Sequence, residues 1–165
     1  MCARDRADAQ QRGPPPVCQE LLALGPRPAL EAVRRVLASE LAKRNWTPRL
    51  ATECLSVLAH RKRVDVALQL LMAMHGAKVE CNAVHRTVAI SACEKSQKWR
   101  LAVGLLTGMP SVGLDASTIS CGATISSCAK GRQWNVALRF LAQMTYAGVE
   151  PSTISCNAAI SACQR

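Results

Sequence analysis

Between residues 134 and 146 the apolar positions Val136, Ala137, Phe140, Leu141 and Met144 recur at intervals of three and four. That spacing lines one stripe of a helix and predicts a helix from Trp134 to Tyr146. Gly148 then supplies a left-handed stop, and Pro151 bars continuation. Immediately upstream, Ile119 to Ala129 reads as a helix rich in small residues, joined to the next by the turn Gly131-Arg132. Nearer the amino terminus, Pro28 suits a helix start, and Leu30, Val33, Leu37 and Leu41 form one more apolar stripe.

The pattern repeats with a fixed offset of 35 residues. Residues 118–128 nearly superpose on 153–163, and Ile90, Ser91, Cys93 and Lys95 fall on Ile125, Ser126, Cys128 and Lys130. The register continues without a gap through Trp99/Trp134, Ala102/Ala137, Leu106/Leu141, Met109/Met144 and Gly113/Gly148. One step earlier, Ser56, Ala67, Leu71 and Met74 occupy the same places. This divides the chain into repeats at 48–82, 83–117 and 118–152, a half repeat at 153–165, and a degenerate helical repeat at 18–47. In the first repeat Gly76 comes two places early, so a different turn is expected there. A helix pair of this length cannot bury both of its faces alone, whereas stacked pairs share a continuous core. The expected fold is all-α, a right-handed α-solenoid of helix-turn-helix 35-residue repeats, whose inner groove suits an extended ligand.

Composition narrows the class further. The chain has 165 residues, 49% of them hydrophobic, which suffices for a core. Lys and Arg number 21 against 11 Asp and Glu, a formal charge of +10 that favours an anionic partner. Aromatics are only 3%, so base-stacking sheet surfaces of the aromatic kind are excluded. Every apolar run is broken before about 18 residues, and no membrane span is expected. Residues 1–17, with Arg4, Arg6, Arg12, two aspartates and Pro14 to Pro16, read as a disordered basic, Pro-rich tail carrying neither a secretory signal nor a clear transit peptide. At the other end an apolar Ser/Ala/Cys segment runs into Gln164-Arg165 with no polar cap, so a truncated array is expected.

Nine cysteines raise the question of zinc or disulfides. Cys93, Cys128 and Cys163 share one repeat position, and Cys121 and Cys156 another, seven residues away within the helix. Seven residues is about 10.5 Å of helix, too far for a disulfide or a shared metal. The thiols are therefore expected to be small core residues in a reducing compartment, with no metal and no cofactor.

The ungapped 35-residue register, the small-residue first helix Ile125-Ser126-Ser127-Cys128-Ala129-Lys130, the alanines Ala67, Ala102 and Ala137, the methionines Met74, Met109 and Met144, and the ending Gly148-Val149-Glu150-Pro151-Ser152 together resemble the P-type pentatricopeptide repeat family. The resemblance spans about 48–165. It implies binding of single-stranded RNA at about one base per repeat. Its base-reading pairs fall on Thr52 with Asn82, Thr87 with Ser117, Gly122 with Ser152, and Asn157. Thr with Asn resembles an adenine-preferring pair, while Gly122 has no side chain to read with. The family's base-packing position falls on Arg49, Val84, Ile119 and Ile154; periodicity alone equally allows ordinary packing between repeats. His60, Lys95 and Lys130 form a column at the end of the first helix that resembles the family's phosphate-contacting one, the alternative being a solvated face.

The resemblance further implies RNA processing or stability in a mitochondrion or chloroplast, with other RNA-processing proteins as possible partners; without a transit signal the alternative is the cytoplasm. No phosphate-binding loop, deaminase metal set or paired carboxylate points to an enzyme or a small-molecule substrate. The competing reading is a solenoid scaffold that holds a protein or peptide, as the related tetratricopeptide repeats do.

Overall fold

The computed structural model describes residues 15–25, 29–42, 46–77 and 79–164. Among these, nine α-helices follow one another with no strand: α1 (Pro16–Ala23), α2 (Leu30–Ala42), α3 (Pro48–His60), α4 (Val64–Gly76), α5 (Ala83–Lys95), α6 (Trp99–Thr107), α7 (Thr118–Lys130), α8 (Trp134–Tyr146) and α9 (Thr153–Cys163), with a 3-10 turn at Pro110–Val112 after α6. The predicted tail lies outside the described residues up to Gly13 and Pro14, as does Pro28. Pro16 and Val17, assigned to the tail by composition, instead make the first turn of α1. Proline is accepted at a helix start and Val17 is buried.

The start of each first helix is set locally. Thr47, Asn82, Ser117 and Ser152 stand 35 residues apart in extended backbone, and each side chain accepts the amide N–H three residues on, at 3.0–3.2 Å. Such a cap satisfies an otherwise unpaired helix amide and contributes about 1 kcal/mol. The turn into the second helix is equally regular. Lys62, Gln97 and Arg132 take left-handed φ values of 56–57°. The amides of Arg63, Lys98 and Gln133 reach back to the carbonyls of Leu58, Cys93 and Cys128 at 2.8–2.9 Å. The predicted turn glycine, Gly131, is not the left-handed residue; Arg132 is.

The second helices end alike. The amides of Val79, Leu114 and Val149 bond to the carbonyls of Met74, Met109 and Met144 at 2.8–3.1 Å. Gly113 and Gly148 hold the left-handed positions. The first repeat, expected to turn differently because of Gly76, closes with the same bond while Gly76 remains helical. Helix α6 is shorter than its equivalents because Pro110 lacks the N–H and crowds the preceding turn.

The helices stack in two layers. Helices α1, α3, α5, α7 and α9 pack in sequence as one layer; on the other side α2 packs on α4, α6 packs against α5 and α7, and α8 packs against α7 and α9. Equivalent residues fill the shared core: Leu55, Ile90 and Ile125, then Ala67, Ala102 and Ala137, then Met74, Met109 and Met144, all at most 2% exposed. The alanines allow the layers to approach, and the longer side chains fill the space between successive pairs. This is the α-solenoid expected from the period.

Candidate nucleic-acid interface

Along any first helix, repeat positions 5, 9 and 13 are four residues apart and share a face. The first-helix layer therefore presents side-chain columns that run from repeat to repeat. At one end, His60, Lys95 and Lys130 are exposed. Lys95 Nζ lies 3.4 Å from His60 Nδ1, so the column is continuous between the first two repeats. Lys130 departs from that pattern. Its ammonium donates to Glu94 Oε1 of the preceding repeat at 2.9 Å. Glu94, adjacent to Lys95 in sequence, thus pairs with the next repeat's lysine.

Between the columns, Ser56, Ser91, Ser126 and Ser161 stand in register, each half-buried. A shallow notch of about 190 Å³ opens there between α7 and α9, lined by Ser126, Ala129, Lys130, Ala158 and Ser161. The notch places Lys130 beside small side chains, where a planar group can approach the helix surface. The serine column was visible in the repeat alignment but carried no motif of its own.

At the other end of the layer, Val84, Ile119 and Ile154 are 53%, 71% and 71% exposed, and Arg49 is exposed at the same position. These aliphatics stand exposed at successive equivalent positions, outside the buried core. Arg49 leans on Glu53 one turn away at 3.4 Å, a surface pair worth little.

The polar pairs are more constrained than the sequence suggested. Thr52 and Thr87 donate their hydroxyls to carbonyls one turn back, those of Pro48 and Ala83 at 3.0 and 2.8 Å, leaving each oxygen able to accept. Asn82 spends Oδ1 on the helix cap, so what it offers outward is its amide hydrogens. Ser117 and Ser152 are likewise caps. Gly122 is buried, and a methyl built on it would sit 4.0 Å from Ser152 Oγ, which shows the third pair side by side. Asn157 is exposed.

His85 was not foreseen as part of this arrangement. It is fully buried. Its Nδ1 accepts the backbone N–H of Asn82 at 3.2 Å, and its Nε2 lies 2.9 Å from the Pro48 carbonyl oxygen, the atom that also takes the Thr52 hydroxyl. These bonds place the ring N–H on Nε2, and they tie Thr52 to Asn82, the two ends of one repeat, through a residue of the next. The signal was a break in the repeat: Ser120 and Ser155 occupy the equivalent positions and complete only local caps. A second bridge missed in the sequence joins Lys98 to both carboxylate oxygens of Asp65, at 2.9 and 3.0 Å.

Most of the thiols behave as core residues, but not all. Cys163 is exposed, and Cys81 and Cys156 are only half-buried. Burial raises Cys93 and Cys128 to about 11. Among the described residues no group of His, Cys, Asp or Glu is arranged to hold a metal ion. No helix there is long and apolar enough to cross a membrane.

Two layers of helices in 35-residue register, the first helix of each full repeat capped, define a helical-repeat protein of the pentatricopeptide fold. The chain is similar to the crystal structure of the pentatricopeptide repeat protein PPR10 in complex with an 18-nt psaJ RNA element, with a TM-score of 0.62 at 22% identity. The match covers 84% of this chain and 21% of that one, so the chain spans about a fifth of the length of that protein. No protein-family model matches the sequence, and neither does any curated protein.

Proposed function

We propose that this protein is a sequence-selective binder of single-stranded RNA, acting by occupancy. The observation that carries this reading is the ladder Val84, Ile119 and Ile154, exposed and in register, beside a row of polar groups and a column of cations. Bases splayed from a strand pack against the aliphatics. The polar pairs meet base edges, and His60, Lys95 and Lys130 face the phosphates. Thr52 as acceptor and Asn82 as donor complement an adenine edge, whose N6 donates and N1 accepts. Gly122 leaves Ser152 to read alone. The solved complex of PPR10 with RNA supports the same mode, and the net charge of +10 favours it. Mitochondrial or chloroplast RNA processing or stabilisation, in company with other RNA-processing proteins, is the setting this reading suggests.

Binding of the purified chain to short poly(A), poly(U), poly(C) and poly(G) RNA and to duplex DNA across a salt series tests the proposal. We expect single-stranded RNA to be preferred, with a bias to adenine. Each phosphate contact contributes about −0.7 to the slope of log affinity against log salt, so Lys95→Ala with Lys130→Ala flattens it by about 0.7 from Lys95 and up to about 0.7 more from Lys130, less what Glu94 already neutralises. Equal affinity for duplex and single strand, or an unaltered slope, rejects it. The exposed aliphatic ladder would also suit an apolar peptide, the scaffold reading. Peptide binding indifferent to salt beyond general screening would favour that instead.

A further inference from the structure

The amino-terminal interface holds a feature that the later ones lack. Cys18 on α1 and Cys54 on α3 face each other with their sulfur atoms 2.7 Å apart, and both are fully buried. They are 36 residues apart, so they are not equivalent repeat positions but opposing residues of two neighbouring first helices. In the later repeats the place of Cys54 is taken by Ala89, Thr124 and Ala159. Cysteines seven residues apart on one helix are too distant to bridge, whereas this pair lies on two facing helices. We propose that Cys18 and Cys54 form a covalent modification site, which a low-molecular-weight disulfide such as oxidised glutathione converts into an intramolecular disulfide tying α1 to the first repeat.

The geometry asks little of the backbone. A disulfide bond is about 2.05 Å long, so the two sulfurs need to close by only about 0.7 Å, within reach of small side-chain rotations. Both belong to the buried cluster that includes Val17, Leu21, Ala51 and Leu55, where the other thiol is Cys81 at its margin. In the packed state the hydrogen bond between the thiols lowers Cys18 and, together with burial, raises Cys54.

The exchange balances in two steps. The Cys18 thiolate attacks one sulfur of oxidised glutathione, forming a mixed disulfide and expelling one glutathione thiolate. Cys54 then gives up its proton and attacks the Cys18 sulfur, forming the Cys18–Cys54 bond and expelling the second. Two electrons pass from the cysteines to the oxidant, and the two thiol protons end on the released glutathiones. Access needs local opening of α1, a helix of eight residues whose Pro16, Gln19, Glu20 and Ala23 face solvent. Once formed, the bond opposes that opening.

The test is to incubate the full chain with oxidised glutathione, block remaining thiols by alkylation, digest without reduction, and identify linked peptides by mass spectrometry. We expect a Cys18–Cys54 link and a rise in Tm of roughly 5–10 °C, both reversed by dithiothreitol and both absent in Cys18→Ser. Should Cys18→Ser not fold, the linked peptide and its reversal in the unaltered chain decide the matter. Recovery of Cys18 and Cys54 as free thiols or separate glutathione adducts, once exposed Cys163 has reacted, overturns the proposal.

Discussion

The indole of Trp99 lies against the backbone of Gly131, so close that a methyl group on Gly131 would fall 2.4 Å from Trp99 Cδ1. Gly131 has an ordinary φ of −81°, so its glycine is required for space, not for conformation. Replacing it by alanine forces the ring or the turn aside. Gly131→Ala is expected to lose about 1–3 kcal/mol of stability in a urea titration, as overpacked sites do. A midpoint equal to the parent's would show that the ring moves freely.

Ser127 sits in the core with a hydroxyl that has no hydrogen-bond partner, whereas the equivalent residues in neighbouring repeats are Ala92 and Ala162. An unsatisfied buried hydroxyl costs about 1–3 kcal/mol. Ser127→Ala is therefore expected to stabilise the fold by about 1 kcal/mol, seen as a higher Tm. Destabilisation would mean that the hydroxyl has a partner after all.

His85 makes a cap and a bridge with one ring. Substituting the residue its equivalents use, His85→Ser, keeps a local cap but abandons the Pro48 carbonyl. The loss should be about 1–2 kcal/mol, and His85→Ala should lose more because both bonds go. Equal losses from the two variants would show that the cap contributes nothing measurable.

Glu94 neutralises Lys130, which any phosphate must win from it. Glu94→Gln is expected to tighten single-stranded RNA binding and to steepen the salt slope by up to about 0.7, the contribution of one phosphate contact. Weaker binding would place the strand away from Lys130.

Burial holds Cys93 and Cys128 protonated up to about 11 in the folded chain, against an ordinary value of 9.0. Above pH 9 the unfolded chain releases these protons and the folded chain does not. The stability they contribute is therefore complete below pH 9 and is lost as pH rises towards 11. Urea midpoints measured from pH 8 to 11 should fall across that window, and less steeply in Cys128→Ala relative to its own value at pH 8.

What the chain's order of residues determined is local. A spacing of three and four apolar residues makes a helix wherever it occurs, and Asn82, Ser117 and Ser152 cap the helices that follow them without help from distant residues. Because the whole pattern recurs every 35 residues, the stacking of helix pairs, their shared core and the columns of equivalent residues could all be read before any coordinates. Tertiary structure decided the contacts that break the repeat. Glu94 turned to Lys130 instead of Lys95, His85 reached Pro48, Gly131 made room for Trp99, and Cys18 met Cys54. Each depends on which way a side chain leaves its helix and on how near the adjacent helix comes. Those distances follow from packing all the repeats together, and no spacing along the chain encodes them.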